Sequence, residues 1–121
     1  MIWKARSHKL TVKLEKYLKA RGWNGCDGKG WRPDILMVNT SSERVLIEVK
    51  PTAAKHDLIT AVGQILCYRA PHKGAVTSIV AAGGAFAPVL CRVMDRLAIK
   101  RLNMEKRTWR RELGRMLSEI A

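Results

Sequence analysis

Apolar positions along this chain repeat with two different periods, and the changes between them mark its elements. Leu10, Leu14, Tyr17 and Leu18 recur every three or four residues, which predicts a helix over about 8–21 with Ser7 as its cap. The segment GWNGCDGKG, residues 22–30, holds four glycines and the turn dipeptides Asn24-Gly25 and Asp27-Gly28, and reads as a tight connection or a short twisted strand. Two short apolar runs follow, Asp34 to Val38 and Val45 to Val49, separated by the polar cluster Asn39-Thr40-Ser41-Ser42-Glu43. That is the pattern of a β-hairpin.

Helical spacing returns from about Ala53 to Arg69, with Thr52 as a cap. Leu58, Val62, Ile65 and Arg69 share one line, and Asp57, Gln64 and Tyr68 an adjacent one. Pro71-His72-Lys73-Gly74 ends this helix, and Val76 to Ala82 reads as a buried strand closed by Gly83-Gly84. Pro88 opens a further helix to about Leu102, with Leu90, Val93 and Leu97 inward. Trp109, Leu113, Met116, Leu117 and Ile120 then define a last amphipathic helix, whose apolar face packs on its own sheet by default and against a second copy as the alternative. Strand, helix, strand makes a crossover unit, so the expectation is an α/β fold, a mixed sheet flanked by helices. A chain of 121 residues suits one compact domain over residues 1–121.

Charge changes this picture most at the hairpin. Side chains alternate faces along a strand, so Leu46, Glu48 and Lys50 share one face and Val45, Ile47 and Val49 the other. With residues 39–43 as the loop, Val38 pairs with Arg44, Leu36 with Leu46 and Asp34 with Glu48, whereas a one-residue slip would turn Asp34 away. Two carboxylates directly opposite each other disfavour the sheet by about 0.2–1 kcal/mol when exposed, and by more when buried. Such a pair calls for a cation, and carboxylates, water and a phosphate are the hard oxygen donors that Mg²⁺ or Mn²⁺ prefers. Lys50, on the same face, is suited to hold an attacking water or to neutralise charge developing on a phosphate.

Lys and Arg number 23 against 10 Asp and Glu, a net charge of +13 that favours a polyanionic partner, DNA above all. From Lys100 to Arg115 bases dominate, and Lys106, Arg107, Arg110, Arg111 and Arg115, with Lys4, Arg6 and Lys9 near the start, are the candidate nucleic-acid contacts. Hydrophobic residues at 47% exclude a disordered chain. A phosphate-cradling glycine loop is the alternative for the glycine-rich segment, but the absence of Walker and GxGxxG spacing weighs against it. Trp23 and Trp31 read as core or hairpin anchors, with base stacking as the alternative. Cys26, Cys67 and Cys91 have no CxxC pairing and read as buried thiols of a reducing, cytoplasmic compartment. His8, His56 and His72 lack ligand spacing and read as surface residues. No apolar run is long enough to span a membrane and no signal peptide is visible, so no membrane partner is expected.

Pro33-Asp34, followed by Glu48-Val49-Lys50 at the end of an apolar strand, resembles the active-site signature of the PD-(D/E)XK nuclease superfamily, which includes restriction endonucleases, Holliday junction resolvases and RecB-like exonuclease domains. Gln64 and Tyr68 resemble the Q-x-x-x-Y helix motif of the RecB-like branch. The resemblance spans roughly residues 8–83 and implies a restriction endonuclease-like αβββαβ core with extra C-terminal helices. It further implies that Asp34, Glu48 and the Val49 carbonyl ligate Mg²⁺ or Mn²⁺ and that Lys50 is the catalytic lysine. Glu15 matches the first-helix glutamate of several members; its plainer reading is a solvated partner for Lys19 at i+4. Gln64 and Tyr68 likewise face the catalytic pocket or form a surface pair. Some RecB-like nucleases hold an iron–sulfur cluster on four cysteines, and this chain has three.

The expected function is therefore metal-dependent endonucleolytic hydrolysis of duplex or branched DNA. The alternative is a catalytically inactive or partner-dependent nucleic-acid-binding protein with a nuclease-like fold. One centre cuts one strand, so cutting both would require a homodimer.

Overall fold

The computed structural model describes residues 2–26, 33–72 and 74–119. Trp31 and Lys73 fall outside these residues, as do the side chains of Trp3, Lys4 and Ile120. Nine elements follow in order: α1 (Ile2–Lys19), β1 (Asn24–Gly25), β2 (Ile35–Val38), β3 (Arg44–Lys50), α2 (Lys55–Arg69), β4 (Val76–Ala82), α3 (Pro88–Arg96), β5 (Ile99–Asn103) and α4 (Trp109–Ser118). The five strands form one sheet in the order of the chain, antiparallel from β1 to β3 and parallel from β3 to β5. This is the expected αβββαβ core, a mixed sheet flanked by helices. Among the described residues no helix is long and apolar enough to cross a membrane.

Helix α1 begins earlier than the periodicity predicts, at Ile2 and not His8. Residues 2–7 contain no glycine or proline and include the good helix formers Lys4, Ala5 and Arg6, so nothing stops the helix from extending upstream. Ser7 is therefore an interior residue whose carbonyl accepts the Thr11 hydroxyl at 2.9 Å, and not a cap. The other end closes as a Schellman motif. Gly22, at φ 87°, donates to the Lys19 carbonyl, and Trp23 donates to Leu18 at 3.1 Å. This turn drives Trp23 into the core, where it is 5% exposed, which settles its role as an anchor.

The hairpin has the expected register, with Val38 opposite Arg44 and Leu36 opposite Leu46. Both faces of β3 are covered. Val45, Ile47 and Val49 pack with Ile79 and Ala81 of β4 beneath α1 and α4, where Leu14, Leu18, Trp109 and Leu113 complete one core. Leu46 packs with Val80 and Ala82 beneath α2 and α3, against Leu58, Ile65, Leu90 and Met94. Two crossovers that advance the sheet in one direction, β3-α2-β4 and β4-α3-β5, put both helices on the same face. The apolar face of α4 is thus spent on its own sheet, with Trp109 and Leu113 buried.

Helix α2 starts at Lys55, later than expected, and its N-cap is Ala54, which makes no side-chain cap. Thr52 acts two residues before the cap, its hydroxyl accepting the Ala54 N–H at 3.3 Å and donating to Asp57 at 2.7 Å. The largest departure lies at 97–103, where the expected helix to Leu102 gives way to strand β5. Leu97 caps α3 and Ala98 turns the chain at φ 55°, a left-handed position filled by a residue with a Cβ and therefore invisible to a search for glycine. Rephasing follows: Val93 is 39% exposed, and Met94 is buried in its place. The cysteines are also less buried than expected. Cys67 is exposed and Cys26 and Cys91 half-buried, all free thiols, because the inward line of α2 runs through Leu58, Val62 and Ile65 and leaves Cys67 off it.

Candidate active site

The site is built where the β2–β3 ladder ends. Its last paired residues are Ile35 and Ile47. Next on β2 come Asp34 and then Pro33, which has no N–H to donate, so the backbone ladder cannot continue. Side chains take over. The Val49 N–H donates to Asp34 Oδ2 at 2.8 Å, and the Asp34 N–H donates to Glu48 Oε1 at 3.2 Å. Each acid is held by a backbone amide of the opposite strand, and the two carboxyl groups are fixed side by side.

Their environments differ. Asp34 is exposed, whereas Glu48 is 2% exposed, between strands whose neighbours are Leu46, Ile47 and Val80. Burying an ion costs several kcal/mol. Each fully buried Leu or Ile contributes about 1.5–3 kcal/mol, so the surrounding strands offset that cost and hold the acid in place. Burial, and then the negative charge of Asp34, push the Glu48 carboxyl from an ordinary 4.5 to about 8, with Lys50 pulling the other way. Without a cation, Glu48 is mostly protonated at neutral pH.

Asp34, Glu48, Val49 and Lys50 line one open cavity of about 500 Å³, joined by Ser7 from α1, by Pro51 and Thr52, and by Asp57 and Gln64 from α2. The Gln64 Oε1 atom is buried without a hydrogen-bond partner. Tyr68, one turn beyond, is half-buried outside the lining. Burial and then the charges of Glu48 and Asp34 raise its phenol pKa, while the Gln64 side chain acts in the opposite sense. Of the residues singled out in the sequence, Asp34, Glu48, Val49, Lys50 and Gln64 are brought together, and Tyr68 lies within their electrostatic reach. Glu15 does not line the cavity: it is half-buried on α1, eight residues past Ser7, or about 12 Å along the helix axis. Ser7 and Asp57 were missed as lining residues. Asp57 carried a signal, its shared helical line with Gln64; Ser7 carried none, since its place depends on the upstream extension of α1.

Parallel pairing aligns the strand ends, with Lys50 level with Ala82 and Ala82 level with Asn103. Gly83 has to be glycine, because a Cβ there would stand 2.7 Å from the Pro51 carbonyl oxygen. Asn103 Oδ1 ties this edge together by accepting the N–H groups of Gly84 at 3.2 Å and Glu105 at 2.9 Å. Lys106, Arg107, Arg110 and Arg111 follow β5 from that same edge, all exposed, and Arg6 lines a smaller hollow of about 240 Å³ with Pro51, Gly83 and Met104. Lys9 is exposed on α1. Arg115 instead shares a separate hollow with Asp95, Glu112 and Glu119.

The donor set suits a hard divalent cation. Mg²⁺ is held by one or two carboxylates and keeps several waters, and a cation here would offset the burial and the repulsion from Asp34 that hold a proton on Glu48. Among the described residues no three His, Cys, Asp or Glu side chains form a metal-binding group.

No protein-family model matches the chain, and no curated protein does. Among solved structures, the fold is similar to the crystal structure of a repair endonuclease from Pyrococcus abyssi, with a TM-score of 0.59 and 15% identity. The match covers 84% of this chain and 46% of that one, so this chain spans about half the length of that protein. At such identity the likeness concerns the fold.

Proposed function

We propose that this protein is a metal-dependent deoxyribonuclease that cuts phosphodiester bonds within duplex or branched DNA. The observation that carries the reading is the interlocked pair Asp34 and Glu48, with Lys50 on the same cavity wall at the C-terminal end of a central strand. A structural likeness to a repair endonuclease supports it, as does the net charge of +13.

Asp34, Glu48 and the Val49 carbonyl would hold Mg²⁺ or Mn²⁺. When bound, the ion supplies the positive charge that polarises the scissile phosphate and acidifies the attacking water. Glu48 gives up its proton to become a ligand, so metal affinity rises with pH up to about 8. Lys50 places its ammonium in the cavity, where it positions water or neutralises the phosphoryl oxygens. The unpartnered Gln64 Oε1 accepts a hydrogen bond from Lys50 or from that water.

The test is cleavage of supercoiled plasmid, linear duplex, single strand and a four-way junction by wild type and Asp34→Asn, with Mg²⁺, Mn²⁺ or EDTA. Cutting by wild type alone, and only with metal, is expected. Binding without cutting in every metal would sink the reading and favour a nuclease-like binding protein.

A further inference from the structure

Two arginines outside the cavity are held in an unusual way. The Arg21 guanidinium lies 3.8 Å over the ring of Tyr17, and that of Arg110 lies 4.4 Å over the ring of Trp109. The rings touch each other, 5.7 Å between centroids and tilted by 57°, and both are buried, at 8% and 5% exposure. Bases cannot stack on rings so covered. What reaches solvent is the pair of guanidiniums, since Arg21 and Arg110 are exposed. Neither forms an ion pair among the described residues, whereas Lys100, Arg101 and Lys106 each have a carboxylate partner.

We infer that Arg21 and Arg110 form a two-point clamp on the phosphate backbone of the DNA, set in advance by the Tyr17–Trp109 pair. It rests on the nuclease reading and extends the footprint of that site. A guanidinium lying on a ring is fixed in plane and keeps its N–H fork free for phosphate oxygens, so less side-chain freedom is lost on binding. The three ring contacts hold the two guanidinium carbons within about 14 Å of each other, at most about four base steps of rise along the duplex axis. The clamp also connects to the catalytic cavity. Asn103 lies level with Lys50 two strands away, about 10 Å, and the segment from Asn103 leads through Lys106 and Arg107 directly into Trp109 and Arg110. Between them the hollow lined by Arg6, Pro51, Gly83 and Met104 continues the surface.

The experiment measures binding of a fluorescent duplex, and of the single strand of the same sequence, by anisotropy in EDTA as KCl is raised. The proteins are wild type, Arg21→Gln, Arg110→Gln, the double variant, and Arg96→Gln, an exposed arginine at the end of α3, as a control of equal charge. Each clamp variant should lower the slope of log K against log salt by about 0.9 on the duplex and about 0.7 on the single strand, and the double variant by about twice as much. Arg96→Gln should leave the slope nearly unchanged. A double variant no different from Arg96→Gln, or an effect confined to one of the two DNAs, overturns the clamp, as does wild type that fails to bind. The double Lys variant, Arg21→Lys with Arg110→Lys, keeps the charge and loses the flat stacking. It should bind several-fold more weakly than wild type, and equal binding would show that charge alone suffices. Binding in EDTA needs no cleavage, so a failed clamp leaves the metal-dependent cutting of the wild type as a separate result.

Discussion

Two of the cavities among the described residues, one at the end of β3 and one between β5 and α4, have the same volume of about 500 Å³, and both are lined by acids and bases. In the hollow between β5 and α4, every acid has a basic partner: Glu119 with Lys100 at 3.0 Å, Asp95 with Arg101, which also donates to the Cys91 carbonyl, and Glu112 with Lys106 from outside the lining, while Arg115 forms no ion pair among the described residues. In the cavity at the end of β3, carboxyl faces carboxyl, Glu48 is buried, and Lys50 makes no ion pair among those the described residues form. Volume does not separate them; the state of the charge does. A pocket whose charges are already satisfied has little left to offer a ligand, whereas one that stores repulsion is stabilised by whatever cation or phosphate enters it.

The sharpest way to break this contrast is at the acids. Asp34→Asn or Glu48→Gln should reduce cleavage by on the order of 10³-fold, because the stabilisation a metal supplies is worth several kcal/mol and each 1.4 kcal/mol is tenfold. DNA binding in EDTA should be tightened by Asp34→Asn, which removes a negative charge, and retained by Glu48→Gln, because without a cation Glu48 already carries its proton at neutral pH. Full activity in either variant would make the frustrated pocket a structural accident. Lys50→Ala comes next, at about 10²–10³-fold in kcat, the usual cost of one electrostatic donor. Metal affinity measured by calorimetry should be unchanged, and a loss of metal binding would reassign the lysine to holding the acids in place.

A smaller effect separates the cavities without any substrate. Glu48 keeps its proton in the folded protein up to about 8 but loses it near 4.5 when unfolded, so its stabilising contribution is complete below that range and is lost as pH rises through it. Thermal melts of metal-free protein should therefore show Tm falling between about pH 5 and pH 8. Glu48→Gln, neutral throughout, should flatten that fall, and divalent metal should restore stability most at the alkaline end. A wild-type profile as flat as that of Glu48→Gln would mean the acid is ionised throughout.

How far the sequence reaches depends on whether a signal is local. The hairpin register was legible because taking the polar residues 39–43 as the loop sets Val38 opposite Arg44 and Leu36 opposite Leu46, and that register brings Asp34 to Glu48. The end of the first helix before Gly22 and the strand Val76–Ala82 were legible too, because glycines mark where each stops. Strand β5 was not, because a left-handed Ala98 leaves no mark and Leu90, Val93 and Leu97 continue a helical period that the backbone abandons. Nor was the pairing of Tyr17 with Trp109, since the rings come from opposite ends of the chain and meet only when α1 and α4 pack on one face of the sheet.

Gly83→Ala should destabilise the protein by about 1–3 kcal/mol, because the added Cβ meets the backbone oxygen of Pro51 and not a side chain that can swing away. Chemical denaturation checks this, and the distortion should also reach the neighbouring Lys50. A cost under about 0.5 kcal/mol would show that the β3 and β4 ends can part without strain.

The smallest effect is expected in the satisfied hollow. Lys100 and Glu119 are 40% and 56% exposed, so water screens their attraction and most of the benefit of contact is spent on ordering two long side chains. Glu119→Gln should therefore change stability by less than about 1 kcal/mol, and less still at high salt, where the Debye length shrinks to a few ångströms. It should leave cleavage unchanged. A large loss of activity from this variant, with stability intact, would mean that the matched hollow takes part in the reaction, and the contrast between paired and frustrated charge would no longer mark the active site.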